Sequence, residues 1–503
     1  MPIEQDSQYN LLDNHSQAVR ALMTAVEHTL GPKGMDTMLI GEAGDIVLTN
    51  DGVTILNLME VSHPIARLLI QGVNGQQKAV GDGTTTTTLL AGEMILQGLE
   101  QIRKGVPAVQ VIKGIRQAVE YGCQQMQTEA VQITDLQDKH LYHTALIAGR
   151  ENKEIAHLVL EGAQVIGQEQ LRKETFSLAE RVIGIEGIGS QVFAGVLVEK
   201  RRLHTQMPEQ LEGNLSILVL DDALEPEELE KQALTTESGF QRYLAIKEEF
   251  KEQIANLIQS GVQAVFVDRG VDVIAEEMLA EAGIFVAARV PHRQLLDLAE
   301  YTGAKLVRRT VLNQKLEVLQ QQFGHAKHII ENEKLGHIKI SGGQGKAMAT
   351  ILVGASTAEV AQEKERIAKD AAASLQAALL YGVTAGGGAR ELATAKGLEQ
   401  YRQKLNGLSV FGVDCVIAAL KKPFMQIVTN AGFNGLEKLT EVYQQQQSNP
   451  NLALDCDTGK VVDLLETGII DPIYVKIHGL QTAGEVAEAI LRVHIIVKKR
   501  ITE

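Results

Sequence analysis

The chain has 503 residues, 45% of them apolar and 22% charged, with a formal net charge of -15. That length exceeds one hydrophobic core and predicts two to four domains of roughly 100–200 residues, while the ordinary composition excludes disordered and fibrous classes. An acidic balance without a long basic run excludes a nucleic-acid backbone as the main partner.

The opening MPIEQDSQYN has neither a positive n-region nor an apolar h-region. No window holds roughly 18 uninterrupted apolar residues, so a cytoplasmic protein away from the membrane is expected. Val19, Leu22, Met23, Val26 and Leu30 recur at helical spacing, and Gly31-Pro32 is expected to stop that helix. MLI and IVL around GEAGD read as a hairpin from Met38 to Leu48, and Asn50-Asp51-Gly52 as a tight turn. After five threonines, Thr84 to Thr88, helical periodicity runs to about Gly122, and a second helical stretch spans about Leu136 to Gly167. RVIGIEGIGSQVFAGVLVEK then reads as strands. From Leu215 to Val307 the runs LSILVL, AVFVD, IFVAA and KLVRR alternate with helices, the pattern of an α/β domain with a partly parallel sheet.

Glu225 to Ser260 is longer than one crossover requires. Phe250, Ile254, Leu257 and Ile258 place a packed helix in its second half, and Phe240, Tyr243, Leu244 and Ile246 among charges suit a projecting first half. HIKISGG and ATILVGA precede a helix capped by Ser356 and Glu359, with Ile367, Ala371, Leu375 and Ala378 on one face up to Gly382. Cys123, Cys415 and Cys456 lie far apart without metal or disulfide spacing, which suits a reducing compartment.

SGGQGKAMAT, Ser341 to Thr350, imitates a phosphate loop. Ile340 and Ala347 stand where that motif needs glycine and Ser/Thr, so a glycine turn between strands is expected. GDGTTT, Gly81 to Thr86, is the stronger candidate: glycines let backbone N–H groups approach phosphate, a helix N-terminus adds a favourable field, and Asp82 suits Mg²⁺. A helix start with solvated threonines explains it equally well on local chemistry. Asp370 borders the apolar stripe of its helix and could orient or deprotonate water, or be a surface charge. Asp51 fits a turn for purely local reasons. Gly386 to Gly388 is either a close-approach site for a ligand or a loose connection, and Asp471-Pro472 resembles an ordinary turn.

Read in order, TLGPKGMD (Thr29 to Asp36), TNDGVTIL (Thr49 to Leu56), GDGTTT, the Asp370 helix, AGGGARE (Ala385 to Glu391) and GIIDP (Gly468 to Pro472) resemble a chaperonin along nearly the whole chain. Asp268 to Val307 is similar to the apical domain of the archaeal and eukaryotic-cytosolic type II branch, of which a form occurs in some bacteria. The ending KKRITE lacks the Gly-Gly-Met repeats of the co-chaperonin-dependent type.

The resemblance implies a multi-domain α plus α/β fold. A mainly helical equatorial ATPase domain would span 1–125 and 386–503, a small intermediate hinge domain 126–190 and 338–385, and an α/β apical domain 191–337 with a helical lid protrusion at about 225–260. It implies a homo-oligomer of two stacked rings of about eight subunits. It further implies ATP-dependent folding of non-native polypeptides without a separate co-chaperonin lid. By position, Thr29, Leu30 and Gly31 would line the phosphates and sugar, and Asp82 would hold Mg²⁺. Gly83, Thr84, Thr85 and Thr86 would hold the β- and γ-phosphates. Asp370, assisted by Asp51, would position the hydrolytic water, and Gly387 and Asp471 would contact base and ribose. Arg150 takes the place of the branch's usual lysine sensor of the γ-phosphate and offers a planar fork instead of a point charge. Val353 stands where arginine is usual, and His494 and Ile495 where acids are. Two rivals remain. A small-molecule phosphotransferase needs a second-substrate pocket that the sequence does not signal, and a scaffold without turnover could dispense with Asp370 or GDGTTT.

Overall fold

The computed structural model describes residues 8–41, 44, 46–173, 175–227, 237–333 and 335–494. It divides into two compact units, one of Met1–Leu160, Arg172–Glu186 and Ala355–Glu503, the other of Glu161–Leu171 and Gly187–Gly354.

The first unit is a helical assembly built around the Thr84–Arg103 helix, which packs against Gln8–Glu27, Val410–Asn430 and Ile473–Leu491. Leu89, Leu90, Met94 and Ile95 of the central helix are fully buried. Each such side chain contributes about 1.5–3 kcal/mol through removal from water. The Ala108–Thr128 and Val410–Asn430 helices cross backbone to backbone. A Cβ at Gly114 would stand 1.9 Å from the Ser409 carbonyl oxygen and one at Gly412 2.0 Å from that of Val111, so the crossing requires glycine on both sides. The hairpin forms as expected, with Thr37–Ile40 antiparallel to Ile46–Thr49. Met38 faces Leu48 and Ile40 faces Ile46, and all four are exposed.

Three local expectations are revised. The first helix ends at Glu27, before Leu30, because the Thr29 hydroxyl and amide both donate to the Val26 carbonyl. The Asn430 amide then donates to the carbonyls of Glu27 (2.9 Å) and Leu30 (2.8 Å), fixing the opened segment. The cap of the Ala358–Tyr381 helix is Thr357, whose hydroxyl accepts from the Val360 amide, rather than Ser356. Ile470–Pro472 is a strand rather than a bare turn, with Asp471 opposite Thr384 in Val383–Ala385.

The second unit carries the mixed sheet. Gln210–Leu220 pairs in parallel with Ala264–Val267 and Leu306–Val307, and Ala264–Val267 pairs in parallel with Phe285–Ala287. Gly324–Asn332, His337–Ser341, Gln191–Val198 and Ala349–Ala355 continue it antiparallel. Both faces are covered: Ile217 and Val219 enter one apolar cluster and Leu218 and Leu220 another, as period-two alternation between two cores demands. SGGQGKAMAT is the expected glycine turn, between His337–Ser341 and Ala349–Ala355. The 225–260 excursion becomes the 23-residue helix Glu237–Gln259, with Ile246, Phe250, Ile254 and Leu257 buried and Phe240 and Leu244 exposed. Residues 228–236 of that excursion, like Ile495 and KKRITE, lie outside the described residues.

Candidate functional site

All thirteen predicted positions converge in one unit: Thr29, Leu30, Gly31, Asp51, Asp82, Gly83, Thr84, Thr85, Thr86, Arg150, Asp370, Gly387 and Asp471 line a single cavity of about 460 Å³ in the first unit. That volume lies in the range of small-molecule and cofactor sites.

The floor is the turn at 81–86. Gly81 (φ 81°) ends the Pro64–Val80 helix and Gly83 (φ 77°) begins the Thr84–Arg103 helix, both left-handed. Gly83 offers no capping side chain, so the amides of Thr84, Thr85 and Thr86 keep the unspent donors of a helix N-terminus. The threonines divide their work. The buried Thr87 and Thr88 hydroxyls donate back to the carbonyls of Gly83 (3.0 Å) and Thr84 (2.9 Å); Thr84 to Thr87 all line the cavity, but the Thr87 hydroxyl is already engaged. A Cβ at Gly52 would stand 2.4 Å from the Thr85 hydroxyl, which brings the Asp51 turn against this floor.

Three carboxylates converge above it. Asp51 caps the Gly52–Leu58 helix, accepting from the Thr54 amide (3.0 Å) and hydroxyl (2.5 Å), so its local turn role and its place in the cavity coexist. Asp82 accepts from the Gly83 amide (2.6 Å) and from the Ser374 hydroxyl (3.0 Å). Burial, and then the charge of Asp471, raise its pKa against the effect of those bonds. Asp370 accepts from Arg366 Nη1 at 2.9 Å. Burial pushes its carboxyl up to about 8, with Asp82 and Asp51 adding repulsion and Arg366 and Arg150 opposing it.

Arg150 follows the Lys139–Ala148 helix on a strained turn. Gly149 cannot carry a Cβ, which would fall 2.6 Å from the Ala145 carbonyl oxygen. Arg150 (φ 54°) and Glu151 (φ 59°) are both left-handed without being glycine, at about 1–2 kcal/mol each. The fourth wall is the Gly386 to Gly388 loop, which packs closely against the protein's own side chains and is no loose connection. A Cβ on Gly387 would reach Leu464 at 2.7 Å and one on Gly388 the Phe424 Cβ at 2.8 Å. Asp471 pairs with Lys476 at 2.8 Å, and Lys476 also reaches Glu391 at 2.8 Å. Although burial disfavours the ammonium, these two carboxylates hold the Lys476 pKa above its ordinary value.

Sequence reasoning missed Arg366, Lys476, Glu391 and Ser374. Arg366 was signalled by its position four residues before Asp370 on one helix face. Lys476 and Glu391 had no such signal, because their pairing brings together segments 85 residues apart.

The site fits a magnesium nucleotide. It has uncommitted helix N-terminal amides, glycines at points of close approach, and crowded carboxylates at Asp51, Asp82 and Asp370 whose mutual repulsion a divalent cation would relieve.

Comparison with known proteins bears on the whole chain. The model of the TCP-1/cpn60 chaperonin family matches residues 22–500. The sequence is 32% identical to thermosome subunit beta of Archaeoglobus fulgidus over 95% of this chain and 90% of that protein. It is 31% identical to the thermosome subunit of Pyrococcus abyssi over 95% and 89%. A crystal structure of a group III chaperonin in the open state superposes with a TM-score of 0.86 at 39% identity, covering 97% of this chain and 99% of that one. A family match over nearly the whole sequence, together with likeness in sequence and fold at full length, makes this chain a member of the TCP-1/cpn60 chaperonin family and a chaperonin subunit of the group II/III kind.

Proposed function

We propose that this chaperonin subunit binds and hydrolyses Mg-ATP in the 460 Å³ cavity and uses the cycle to enclose and fold non-native polypeptides. The observation that carries the reading is the convergence of Asp370, Asp51 and Asp82 on the uncapped N-terminus at Thr84 to Thr86.

Bound at Asp82, Mg²⁺ would supply neutralisation of charge on the β- and γ-phosphates. Everything else falls to the chain. The amides and hydroxyls of Gly83 to Thr86 hold the phosphates, and Thr29, Leu30 and Gly31 line them from the segment that Asn430 fixes. Gly387 and Asp471 take the base and ribose, with Lys476 fixing the Asp471 carboxylate. Asp370 orients the attacking water and accepts its proton. Burial and the repulsion of Asp82 and Asp51 push its carboxyl up to about 8, and beside a divalent cation at Asp82 that value would fall and leave the carboxylate free to act as base. Asp51, held by Thr54, steadies the same water, and Arg150 reads the γ-phosphate.

The division into equatorial, intermediate and apical domains belongs to the same proposal. The Glu237–Gln259 helix, with Phe240 and Leu244 exposed, is the root of the lid and offers apolar surface to unfolded chains. Moving a lid from mostly open to mostly closed takes about 5 kcal/mol of differential binding, which charge-assisted contacts to the γ-phosphate can supply. The exposed apolar face of the 37–49 hairpin, a two-stranded sheet among the described residues, supports assembly with further copies of the chain into two stacked rings of about eight. Among the described residues no helix is long and apolar enough to cross a membrane, and we place the assembly in the cytoplasm.

The test is refolding of a denatured model enzyme with Mg-ATP and no co-chaperonin, with phosphate release followed in parallel. Wild type is expected to restore activity, whereas Asp370→Ala should bind ATP and release phosphate at least about 100-fold more slowly, the scale on which a positioned base acts. Turnover without rescue would remove the self-lidded chamber; no turnover in wild type would remove the ATPase.

A further inference from the structure

Two arginines of the cavity wall share one anion. Glu363 Oε1 accepts from Arg150 Nη1 at 3.2 Å and from Arg366 Nη2 at 2.8 Å, and Glu363 Oε2 accepts from Arg366 Nε at 3.0 Å. Arg366 thus grips Glu363 with a two-pronged fork and spends its remaining Nη1 on Asp370. Glu363, Arg366 and Asp370 occupy positions i, i+3 and i+7 of the Ala358–Tyr381 helix, one face of it, so a single guanidinium bridges the shared anion and the carboxylate next to the floor. Arg150 and Arg366 line the cavity, whereas Glu363 does not.

We infer that Glu363 is a positioning residue that occupies the arginine clasp in place of the terminal phosphate, so that a nucleoside triphosphate must take Arg150 and Arg366 from it while a diphosphate leaves them where they are. This rests on the nucleotide reading of the cavity and adds what sets its response to the third phosphate.

The geometry carries the inference in three steps. Two guanidinium groups repel, and they are brought onto one oxygen only by an anion that serves both. Burial, and in smaller part the neighbouring Arg366 charge, lower the Arg150 pKa, while Glu363 acts to raise it. The Glu363 side chain is 44% exposed, so its hold on the arginines is solvent-screened and weak, of the order of 1 kcal/mol or less. A phosphate offers more charge and more acceptor oxygens to the same planar forks and wins the competition at short range. Arg366, already bonded to Asp370, then couples the phosphate to the carboxylate proposed as base.

The test is equilibrium binding of Mg-ATP and Mg-ADP to the assembled full-length protein by calorimetry, in wild type, Glu363→Gln and Glu363→Asp. Removing a competitor worth up to about 1 kcal/mol should tighten ATP about fivefold in Glu363→Gln. ADP should stay within about twofold on the same scale. Glu363→Asp, which keeps the charge, should remain near wild type. In steady state the KM for ATP should fall in Glu363→Gln with kcat kept, a split that a merely structural role would not produce. Glu363→Ala is a second route to the same readout should Gln disturb the helix face. An unchanged ratio of ATP to ADP affinity in variants that bind both would overturn the clasp, as would an equal gain for the two nucleotides, which is only the loss of a negative charge. Failure of wild type to bind either nucleotide would instead strike the reading of the cavity itself.

Discussion

GDGTTT at 81–86 and SGGQGK at 341–346 are both glycine-rich turns after an apolar element, yet they do opposite things with their backbone. In the second the amides are spent within the protein: Gly345 donates to the Tyr301 carbonyl and Lys346 to that of Glu300, each at 2.8 Å, and Lys346 Nζ pairs with Glu300 at 3.0 Å. In the first the turn feeds a 20-residue helix whose cap has no side chain, so three successive donors stay uncommitted beside three carboxylates. Glycine content does not distinguish a ligand cradle from a packing device. What distinguishes them is the count of unspent N–H groups and the charge gathered around them.

The contrast can be broken most forcefully at Gly83. Alanine there must adopt φ 77° and place its Cβ 2.6 Å from Val475 Cγ1. Displacing the floor by even about 1 Å should lower phosphate release roughly 100-fold. Phosphate release under saturating Mg-ATP measures it, with a modest loss of melting temperature. Gly345→Ala should do the reverse. Its Cβ would lie 2.1 Å from the Glu300 carbonyl oxygen, a backbone clash expected to cost about 1–3 kcal/mol. Thermal denaturation should show that loss while the ATP dissociation constant, measured below the transition, stays unchanged.

A third effect concerns charge. The folded Asp370 carboxyl, pushed up to about 8 from an ordinary 3.8, keeps its proton where the unfolded chain releases it. Folding therefore gains stability from this group below about pH 4 and loses it progressively as pH rises to about 8. Asp370→Asn cannot titrate, so without divalent cation the fall in urea midpoint between about pH 5 and pH 8 should be shallower in the variant.

Much of the site could be read in the sequence because its parts obey local rules. Gly-Asp-Gly before a helix start, Asp after Asn in a turn, and Asp beside an apolar stripe are each visible within a few residues, and their order identified the family. The helix end at Glu27 was misread because periodicity continued to Leu30, while the competing bonds of Thr29 and the distant Asn430 decided the outcome. Glu391 and Lys476 escaped for the same reason in stronger form, since a buried ion pair between remote segments leaves no spacing to recognise. Arg366 was legible as an i,i+4 partner, but its grip on Glu363 at the same time was a matter of rotamers that no pattern encodes.

The bonds from Asn430 to Glu27 and Leu30 also bear on how the chain comes into being. The cavity walls run in sequence from Thr29 to Leu480, whereas every segment of the sheet-bearing unit lies between Glu161 and Gly354. At about 5–20 residues per second, the first wall waits tens of seconds on the ribosome for the last. The sheet unit has all its residues well before then. A nascent subunit therefore completes its apolar sheet long before its cavity, and the emergence of the Ile473–Leu491 helix supplies the last wall.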